Sequence, residues 1–383
     1  MRVALVRQRY NPFGGAERFI ERALPALERA GAEVTLIARS WQSPAAGWEA
    51  RQVLFADPPY AGNLWRDRSF ARAARKLWER CGFDLVQSHE RIAGCDVYRA
   101  GDGVHAQWLE IRRAAAGPLE RLGIALNPYH RYVCDEERRM FQHPQLRAVI
   151  CNSQMVRDEI GRRFELAPEK LHLVYNGVDL EHFHPRLRAS LRAAARAELG
   201  VAPAETMFLF VGSGFARKGL DAAIVALASC GNMPYRLVVA GRDRHAARFA
   251  ALAAASGLGE RVQLVGGRDD VRPLYAAADC FILPTRYDPF PNTVLEALAM
   301  GLPAIVGRRS GAAESLRHGE IGWICEPEDP AGLAQLMHAA ADAARAGGAS
   351  SACRAAAECF GMDDMARKLV DLYAALGSSA QAR

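Results

Sequence analysis

Short apolar runs recur along the chain, and each is followed by a longer segment whose apolar residues have helical spacing. The first group of runs reads VALVR, VTLIAR, DLVQSH and AVICNS, and the second reads MFLFVG, RLVVAG, VQLVGG, CFILPT and PAIVGR. Strands that alternate with helices form parallel sheets with helices on both faces. The pattern therefore predicts an α/β fold with two such sheets.

A charged segment at residues 180–205 separates the two groups of runs, and a proline and a helical tract replace the strand pattern there. A chain of 383 residues that is 50% hydrophobic can fill two cores without disulfides or a structural metal. We therefore predict one Rossmann-like domain at residues 1–185 and a second at 186–365. Residues 366–383 are predicted to form a C-terminal helix that packs back on the N-terminal domain.

Composition excludes several classes of protein. The formal net charge is +6, but acidic and basic residues are interspersed and no nucleic-acid-reading motif is present, so nucleic acid is disfavoured as a partner. The nine Cys occur without a CxxC pair or a His/Cys ligand spacing, which indicates reduced thiols and no metal site. With no signal peptide and no apolar run of roughly 18 residues, the sequence predicts a cytoplasmic protein.

Ligands of parallel sheets bind beyond the carboxyl ends of the strands, so the loops after the apolar runs are the candidate sites. Gly14 and Gly15 follow the first run, where paired glycines let backbone amides approach an anion at a helix N-terminus. A tight strand-to-helix turn explains the pair equally well. The spacing fits neither GxGxxG nor a P-loop, which disfavours a dinucleotide oxidoreductase or a kinase.

Arg217 and Lys218 stand just before a helix that is predicted to begin near Gly219. Cations at a helix N-terminus oppose the helix dipole by roughly 0.3 to 1 kcal/mol each. A bound diphosphate would reverse the sign of that interaction, and a planar guanidinium beside an ammonium suits such a ligand. The alternative is a pair of solvated surface cations.

Two carboxylates flank the next predicted strand-to-helix corner, in the stretch YDPFPNTVLEAL. Asp288 lies in the loop, and Glu296 lies early in a helix for which Asn292 is the predicted N-cap. Acids near a helix start are favourable in themselves, so a purely structural role remains an alternative.

Two further loops give weaker signals. Asn176 precedes Gly177 in a probable turn after a strand. Asp102 lies between two glycines, where it could accept a proton or orient a sugar hydroxyl, although the spacing alone favours a helix cap. His89 ends a strand, where structural roles are commoner than catalytic ones.

Taken together, the segments NPFGGAER, VYNGVD, GSGFARKGLD and YDPFPNTVLEALAMGLPAIV resemble the retaining glycosyltransferases of family 4. These enzymes have the GT-B fold, in which two facing Rossmann-like domains with parallel sheets enclose a cleft. Within the family, GCDVYRAGD and GGRDDVRPLYAAAD are most similar to the lipopolysaccharide core enzymes that transfer glucose from UDP-glucose to an inner-core heptose. The resemblance covers nearly the whole chain, and it implies a hexosyltransferase.

The resemblance implies a donor site for a UDP-sugar. Arg217 and Lys218 would hold the two phosphates, and Glu296 would accept hydrogen bonds from the ribose hydroxyls. Asp288 stands where the family usually has a Glu that faces the hydroxyls of the transferred hexose. The backbone of Val265 would contact the uracil.

The remaining site residues come from the N-terminal half. The resemblance implies that Gly14 and Gly15 contact the diphosphate or the sugar through their amides, and that Asn176 belongs to the donor site. Asp102 matches the position at which the core enzymes have an acid and many other members of the family have a His.

The implied chemistry is substitution at the anomeric carbon with retained configuration, in which the departing phosphate takes the acceptor proton and the protein contributes position and charge. No DxD pair occurs in the sequence, so neither a metal nor another cofactor is expected. Two alternatives remain open: a UDP-sugar epimerase on a similar frame, and a binding module that has lost its chemistry.

Two tracts combine basic and aromatic residues, at 62–80 and at 105–132. Such segments suit an anionic bilayer surface, but helices with solvated faces and aromatic core contacts explain the first tract at least as well. For the second tract, the resemblance favours membrane contact. We therefore expect a peripheral protein on the cytoplasmic face of the inner membrane, acting on lipopolysaccharide core or another lipid-linked acceptor.

Overall fold

The computed structural model describes residues 1–9, 24–41, 52–347 and 349–381. The chain forms two compact units, Met1–Asn176 with Met362–Arg383, and Gly177–Gly361. The predicted α/β class with two Rossmann-like parallel sheets is confirmed.

The first unit contains a seven-stranded sheet in the order β3-β2-β1-β4-β5-β6-β7, and every pairing in it is parallel. The strands are β1 Arg2–Val6, β2 Glu33–Ala38, β3 Val53–Phe55, β4 Leu85–Ser88, β5 Val97–Arg99, β6 Ala148–Cys151 and β7 Leu171–Leu173. Its described helices include α1 Gly62–Cys81, α2 His105–Ala115, α3 Pro118–Leu126, α4 Pro128–Phe141 and α5 Gln154–Phe164. The central strands are buried throughout, which explains why they read as continuous apolar runs.

The second unit contains a six-stranded parallel sheet in the order β10-β9-β8-β11-β12-β13. Its strands are β8 Thr206–Val211, β9 Tyr235–Ala240, β10 Val262–Gly266, β11 Cys280–Leu283, β12 Ala304–Gly307 and β13 Gly322–Cys325. Its helices are α6 Arg186–Glu198, α7 Phe215–Lys218, α8 Leu220–Ser229, α9 Ala246–Ala255, α10 Arg272–Ala277, α11 Asn292–Ala299, α12 Pro330–Ala346 and α13 Ser350–Glu358. Both sheets have the Rossmann strand order, which reverses direction between the first and fourth strands.

The structure divides the chain between Asn176 and Gly177, whereas the sequence pattern predicts a division after residue 185. The residues from Gly177 onward belong to the second unit. Val178 donates its amide hydrogen to the carbonyl of Phe360 at 2.9 Å. Helix α6 adds Arg192 and Arg196, which both bond the Asp279 carboxylate. These bonds tie the charged segment between the two groups of strands to the second sheet.

The last helix, α14 (Met362–Gln381), belongs to the first unit. The sequence pattern predicts a start at residue 366, whereas the helix begins at Met362. Met365, Leu369 and Leu372 recur at helical spacing and are buried among apolar residues of that unit's sheet. Tyr373 donates a buried hydrogen bond to Gln87 at 2.6 Å. Among the described residues, no helix is both long enough and apolar enough to cross a bilayer.

Candidate active site

The loops after β8 and β11 meet at the point where the strand order of the second sheet reverses. In open parallel sheets this is the place where ligands bind, beyond the carboxyl ends of the two strands. The loop after β8, which includes the one-turn helix α7, carries Arg217 and Lys218, and the loop after β11 carries Asp288. Three of the residues that the sequence analysis proposed for a donor site therefore lie together.

Gly219 makes the close approach of these two loops possible. Its φ is +77°, and a Cβ atom built there would lie 1.9 Å from the carbonyl oxygen of Pro284. Only glycine adopts this conformation without strain and also leaves room for that carbonyl. Gly219 separates α7, which ends at Lys218, from α8, so the two cations precede a helix as the sequence predicted.

A buried ion pair joins the loops. Lys218 Nζ bonds Asp288 Oδ2, and Arg217 Nη1 approaches the same oxygen at 3.2 Å. Burial lowers the pKa of Lys218. Although burial acts in the opposite direction on Asp288, the adjacent Lys218 and Arg217 cations lower the pKa of its carboxyl group. The carboxylate is thus ionised at neutral pH, and both cations are oriented by it.

Part of this cluster remains available to a ligand. Arg217 Nη1 is anchored by Asp288 and by the Tyr287 carbonyl at 2.8 Å, whereas Nε and Nη2 bond no residue that the structure describes. The Arg217 side chain is 37% exposed. Asp288 Oδ1 likewise accepts no hydrogen bond within the described ranges. The cluster can therefore bind an anion through the outer edge of the guanidinium and a hydroxyl through the free carboxylate oxygen.

Glu296 lies in α11, one turn after the helix begins. The helix starts at Asn292 and its N-cap residue is Pro291, so the prediction of Asn292 as N-cap was wrong by one position. The proline supplies an extended conformation without a side-chain cap. Glu296 is buried, and Tyr275 of α10 donates its hydroxyl hydrogen to Oε2 at 3.0 Å.

Val265 lies at an irregularity of the sheet. The register between β10 and β9 shifts between Leu264 and Gly266, which leaves Val265 as the extra residue of a β-bulge. The backbone of a bulged residue is left out of the strand ladder. Val265 itself is half-buried.

Asp102 is exposed in the turn between β5 and α2, and it does not cap that helix. The buried carboxylate of Glu137 caps it instead, accepting the amide hydrogens of His105 at 2.6 Å and Ala106 at 3.2 Å. Arg91 donates to Glu137 at 2.8 Å and to the carbonyl of Gly103 at 3.0 Å. The turn is therefore held by other residues, which leaves the Asp102 side chain exposed.

Asn176 is buried at the end of the first unit's main segment, and its Oδ1 accepts a hydrogen bond from Arg99 Nη2 at 2.6 Å. Gly14 and Gly15 lie outside the described residues. The ligand-binding roles proposed for these three residues, for Asp102 and for the site residues of the second unit all stay predictions.

The residues that orient the predicted site residues could not be identified from the sequence. Tyr275 is 21 positions from Glu296, and Glu137 is 32 positions from His105. Asp243 accepts the amide hydrogen of Phe215 at 2.8 Å from 28 positions away and so fixes the start of α7. No local spacing signals such partners, because they meet only when the strands are assembled. Within the described ranges, no group of three His, Cys, Asp or Glu residues could hold a metal ion.

Two family models match successive parts of the chain. The model described as Glycosyltransferase Family 4 matches residues 13–182, and the model described as Glycosyl transferases group 1 matches residues 192–344. The second match includes Arg217, Lys218, Asp288 and Glu296.

Individual relatives are similar over most of the chain. The lipopolysaccharide glucosyltransferase WaaG of Escherichia coli K12 is 26% identical over 344 residues, which cover 89% of each chain. A D-inositol 3-phosphate glycosyltransferase of Streptomyces bingchenggensis is 30% identical over 315 residues, covering 76% of this chain and 66% of the relative. The crystal structure of WaaG superimposes with a TM-score of 0.83 at 25% identity, covering 97% of this chain and 99% of that one.

We predict that Asp288→Asn lowers the free energy of unfolding by about 3 kcal/mol at neutral pH, because Lys218 would remain buried without its carboxylate partner. The pKa of Asp288 is lowered in the folded state, so its contribution is complete above the unfolded pKa of about 3.9 and is lost as the pH falls through the folded value. The stability difference between wild type and variant should therefore shrink below about pH 4. Urea unfolding across a pH series measures it.

The matched control is Asp342→Asn, because Asp342 forms an exposed ion pair with Arg345 in the same unit. An exposed pair contributes little, so this variant should unfold like the wild type. A wild-type to Asp288→Asn difference that stays constant from neutral pH to pH 3 would contradict the assignment.

Proposed function

Because this chain belongs to the glycosyltransferases of GT-B fold, with a Family 4 segment before a group 1 segment, we propose that it transfers a hexose from a UDP-sugar to the inner-core heptose of lipopolysaccharide or a similar lipid-linked glycan. The chain is a hexosyltransferase. Glucose is the proposed hexose, because the relative that matches 89% of both chains is a lipopolysaccharide glucosyltransferase. The observation that carries the donor proposal is the Arg217, Lys218 and Asp288 cluster at the reversal point of the second sheet.

The proposed reaction needs an environment that stabilises negative charge on the departing diphosphate. Arg217 has two nitrogen donors without partners among the described residues, and Lys218 is fixed beside it. Donors that are already oriented stabilise developing charge without reorganisation during the reaction. Glu296 would bind the ribose hydroxyls and Val265 the uracil. Asp288 Oδ1 would accept a hydroxyl of the hexose.

The proposed stereochemical outcome is retention. The bond from the anomeric carbon to the phosphate oxygen breaks, and the acceptor oxygen bonds that carbon from the same face. The acceptor proton passes to the departing phosphate, so no protein nucleophile is needed. Asp102 is the proposed acceptor-side acid, and its exposed carboxylate suits an orienting contact with the acceptor.

The proposed activity is tested by incubating the protein with truncated core lipopolysaccharide and a panel of UDP-sugars, followed by mass spectrometry. The acceptor should gain the mass of one hexose with UDP-glucose and less with UDP-galactose or the N-acetyl sugars. The anomeric configuration of the product, read by NMR, should match that of the donor. An Arg217→Ala variant should lose most of the turnover. A product formed from the donor alone would favour an epimerase, and UDP affinity without turnover on any acceptor would favour a binding module.

We also propose that the transfer needs no metal ion, because Arg217 and Lys218 supply the positive charge that a divalent ion supplies elsewhere. The prediction is that turnover is unchanged in excess EDTA. Loss of activity in EDTA, with recovery after Mg²⁺ or Mn²⁺ is added, would overturn it.

A membrane contact is proposed through α3. Three of its leucines are strongly exposed, Leu119 at 86%, Leu122 at 56% and Leu126 at 68%, and their spacing places them along one face. Arg112, Arg113 and Arg121 lie on or next to this helix. Exposed leucines beside cations fit an anionic bilayer surface. This supports a peripheral location on the cytoplasmic face of the inner membrane, where the lipid-linked acceptor would be reached.

The tract at 62–80 supports this proposal less. Phe70 and Trp78 are buried core residues of the first unit, as the structural alternative requires, and only Trp65 among the aromatic residues of the tract is exposed.

We predict that the protein sediments with vesicles containing phosphatidylglycerol more than with phosphatidylcholine vesicles, and that a Leu119→Ser, Leu122→Ser double variant sediments several-fold less. Because both leucines are exposed, the melting temperature should hardly change. Val225→Ser, which alters an exposed apolar residue of α8, is the control and should sediment like the wild type. Equal sedimentation with both kinds of vesicle would count against the proposal.

A further inference from the structure

The two loops of the donor site exchange arginine side chains. Arg217, from the loop after β8, reaches the Tyr287 carbonyl and the Asp288 carboxylate of the other loop. Arg286, from the loop after β11, reaches back to the Ala216 carbonyl at 2.7 Å and to the Asp221 carboxylate. Arg217 therefore bonds a carbonyl and a carboxylate of the loop after β11, and Arg286 bonds a carbonyl of the loop after β8 and a carboxylate in the first turn of α8.

The pair formed by Arg286 and Asp221 has the stronger geometry. Arg286 Nη1 and Nη2 each bond one oxygen of Asp221 at 2.8 Å, which is the two-pronged arrangement that fixes both partners. Asp221 lies in the first turn of α8, directly after the turn at Gly219. The pair thus ties the first turn of this helix to the loop after β11.

The backbone of Arg217 is held by the same loop. Its carbonyl accepts hydrogen bonds from the Arg286 amide at 2.9 Å and from the Thr285 hydroxyl at 3.1 Å. The Arg286 side chain also holds the preceding carbonyl, that of Ala216. Arg286 therefore restrains the peptide groups on both sides of the residue whose guanidinium edge is open to a ligand.

We propose that Arg286 and Asp221 are positioning residues that hold Arg217 and Lys218 in the orientation that binds the donor diphosphate. This inference rests on the proposed function and names two residues that act through the cations without touching the donor. The charges of Arg286 and Asp221 cancel. The two terminal nitrogens of Arg286 bond Asp221 and the carbonyl of Ala216.

A positioning role and a purely electrostatic role predict opposite effects of an Asp221 substitution on diphosphate binding. If only charge mattered, removing this acid from the neighbourhood of a diphosphate would strengthen binding. If position matters, Asp221→Asn weakens binding, because the two-pronged bond to Arg286 is lost. Arg286→Lys makes the same distinction, since lysine keeps the positive charge but lacks the planar fork.

The test is isothermal titration of UDP into the intact protein and its variants. Asp221→Asn and Arg286→Lys should each weaken UDP binding about tenfold, and the double variant should be no weaker than either, because both changes break one interaction. In the transfer assay, KM for the UDP-sugar should rise while KM for the acceptor stays unchanged.

Arg236→Lys is the matched control. Arg236 forms an ion pair with Glu205 at 2.8 Å in the same unit, and its side chain is 20% exposed against 22% for Arg286. This variant should bind UDP like the wild type, whatever small change in melting temperature the loss of an arginine causes. Comparison with Arg236→Lys therefore separates a positioning effect of Arg286 from a general loss of stability.

Unchanged or tighter UDP binding by Asp221→Asn would overturn the inference, as would a weakening by Arg236→Lys equal to that by Arg286→Lys. If Arg286→Lys does not fold, Asp221→Asn decides alone. If the wild-type protein binds no UDP, the proposed function and this inference both fall. If the wild type and Asp221→Asn both bind UDP normally, only the positioning role of Arg286 and Asp221 is contradicted, and the proposed function is unaffected.

Discussion

The buried ion pair between Lys218 and Asp288 is the interaction on which the candidate site depends. Burying either charge alone is costly, and the pair is tolerated because each ion satisfies the other at short range. The two residues come from loops that follow adjacent strands of one sheet, β8 and β11. The carboxylate therefore fixes the ammonium group, and it fixes one nitrogen of Arg217 as well. The ion pair therefore links the two loops.

Neighbouring residues also help to hold the two loops in place. Gly219 lets the loops approach as far as contact between backbone atoms, and Asp243 holds the beginning of α7. Among the described residues, these contacts leave the Arg217 guanidinium with one bonded nitrogen and two unbonded ones, beside the Asp288 carboxylate with one unbonded oxygen. Such a site is organised before a ligand arrives, which is the condition under which fixed charges stabilise a departing diphosphate most effectively. The similarity to glycosyltransferases over both units gives this local geometry a reaction to perform.

Much of the fold could be predicted from the sequence, because strands buried on both faces leave continuous apolar runs. Four strands are absent from the predicted apolar runs: β3, β7 and β13, which lie at sheet edges, and β5, which has only three residues. The three residues of β3 are not fully buried, and β13 begins with a glycine, so neither produces a clear apolar run. The candidate site was likewise predictable only in part. Arg217, Lys218 and Asp288 stand out by position after strands, but the bond between Arg286 and Asp221 spans 65 residues and leaves no local pattern.

We propose that the cations at the reversal point of the second sheet bind the diphosphate of a nucleotide sugar. A crystal structure of the protein with UDP tests it most directly. We expect phosphate oxygens within hydrogen-bonding distance of Lys218 Nζ and of Arg217 Nε and Nη2, with Asp288 still bound to Lys218. A diphosphate bound elsewhere, with both cations contacting only Asp288 and solvent, would contradict it.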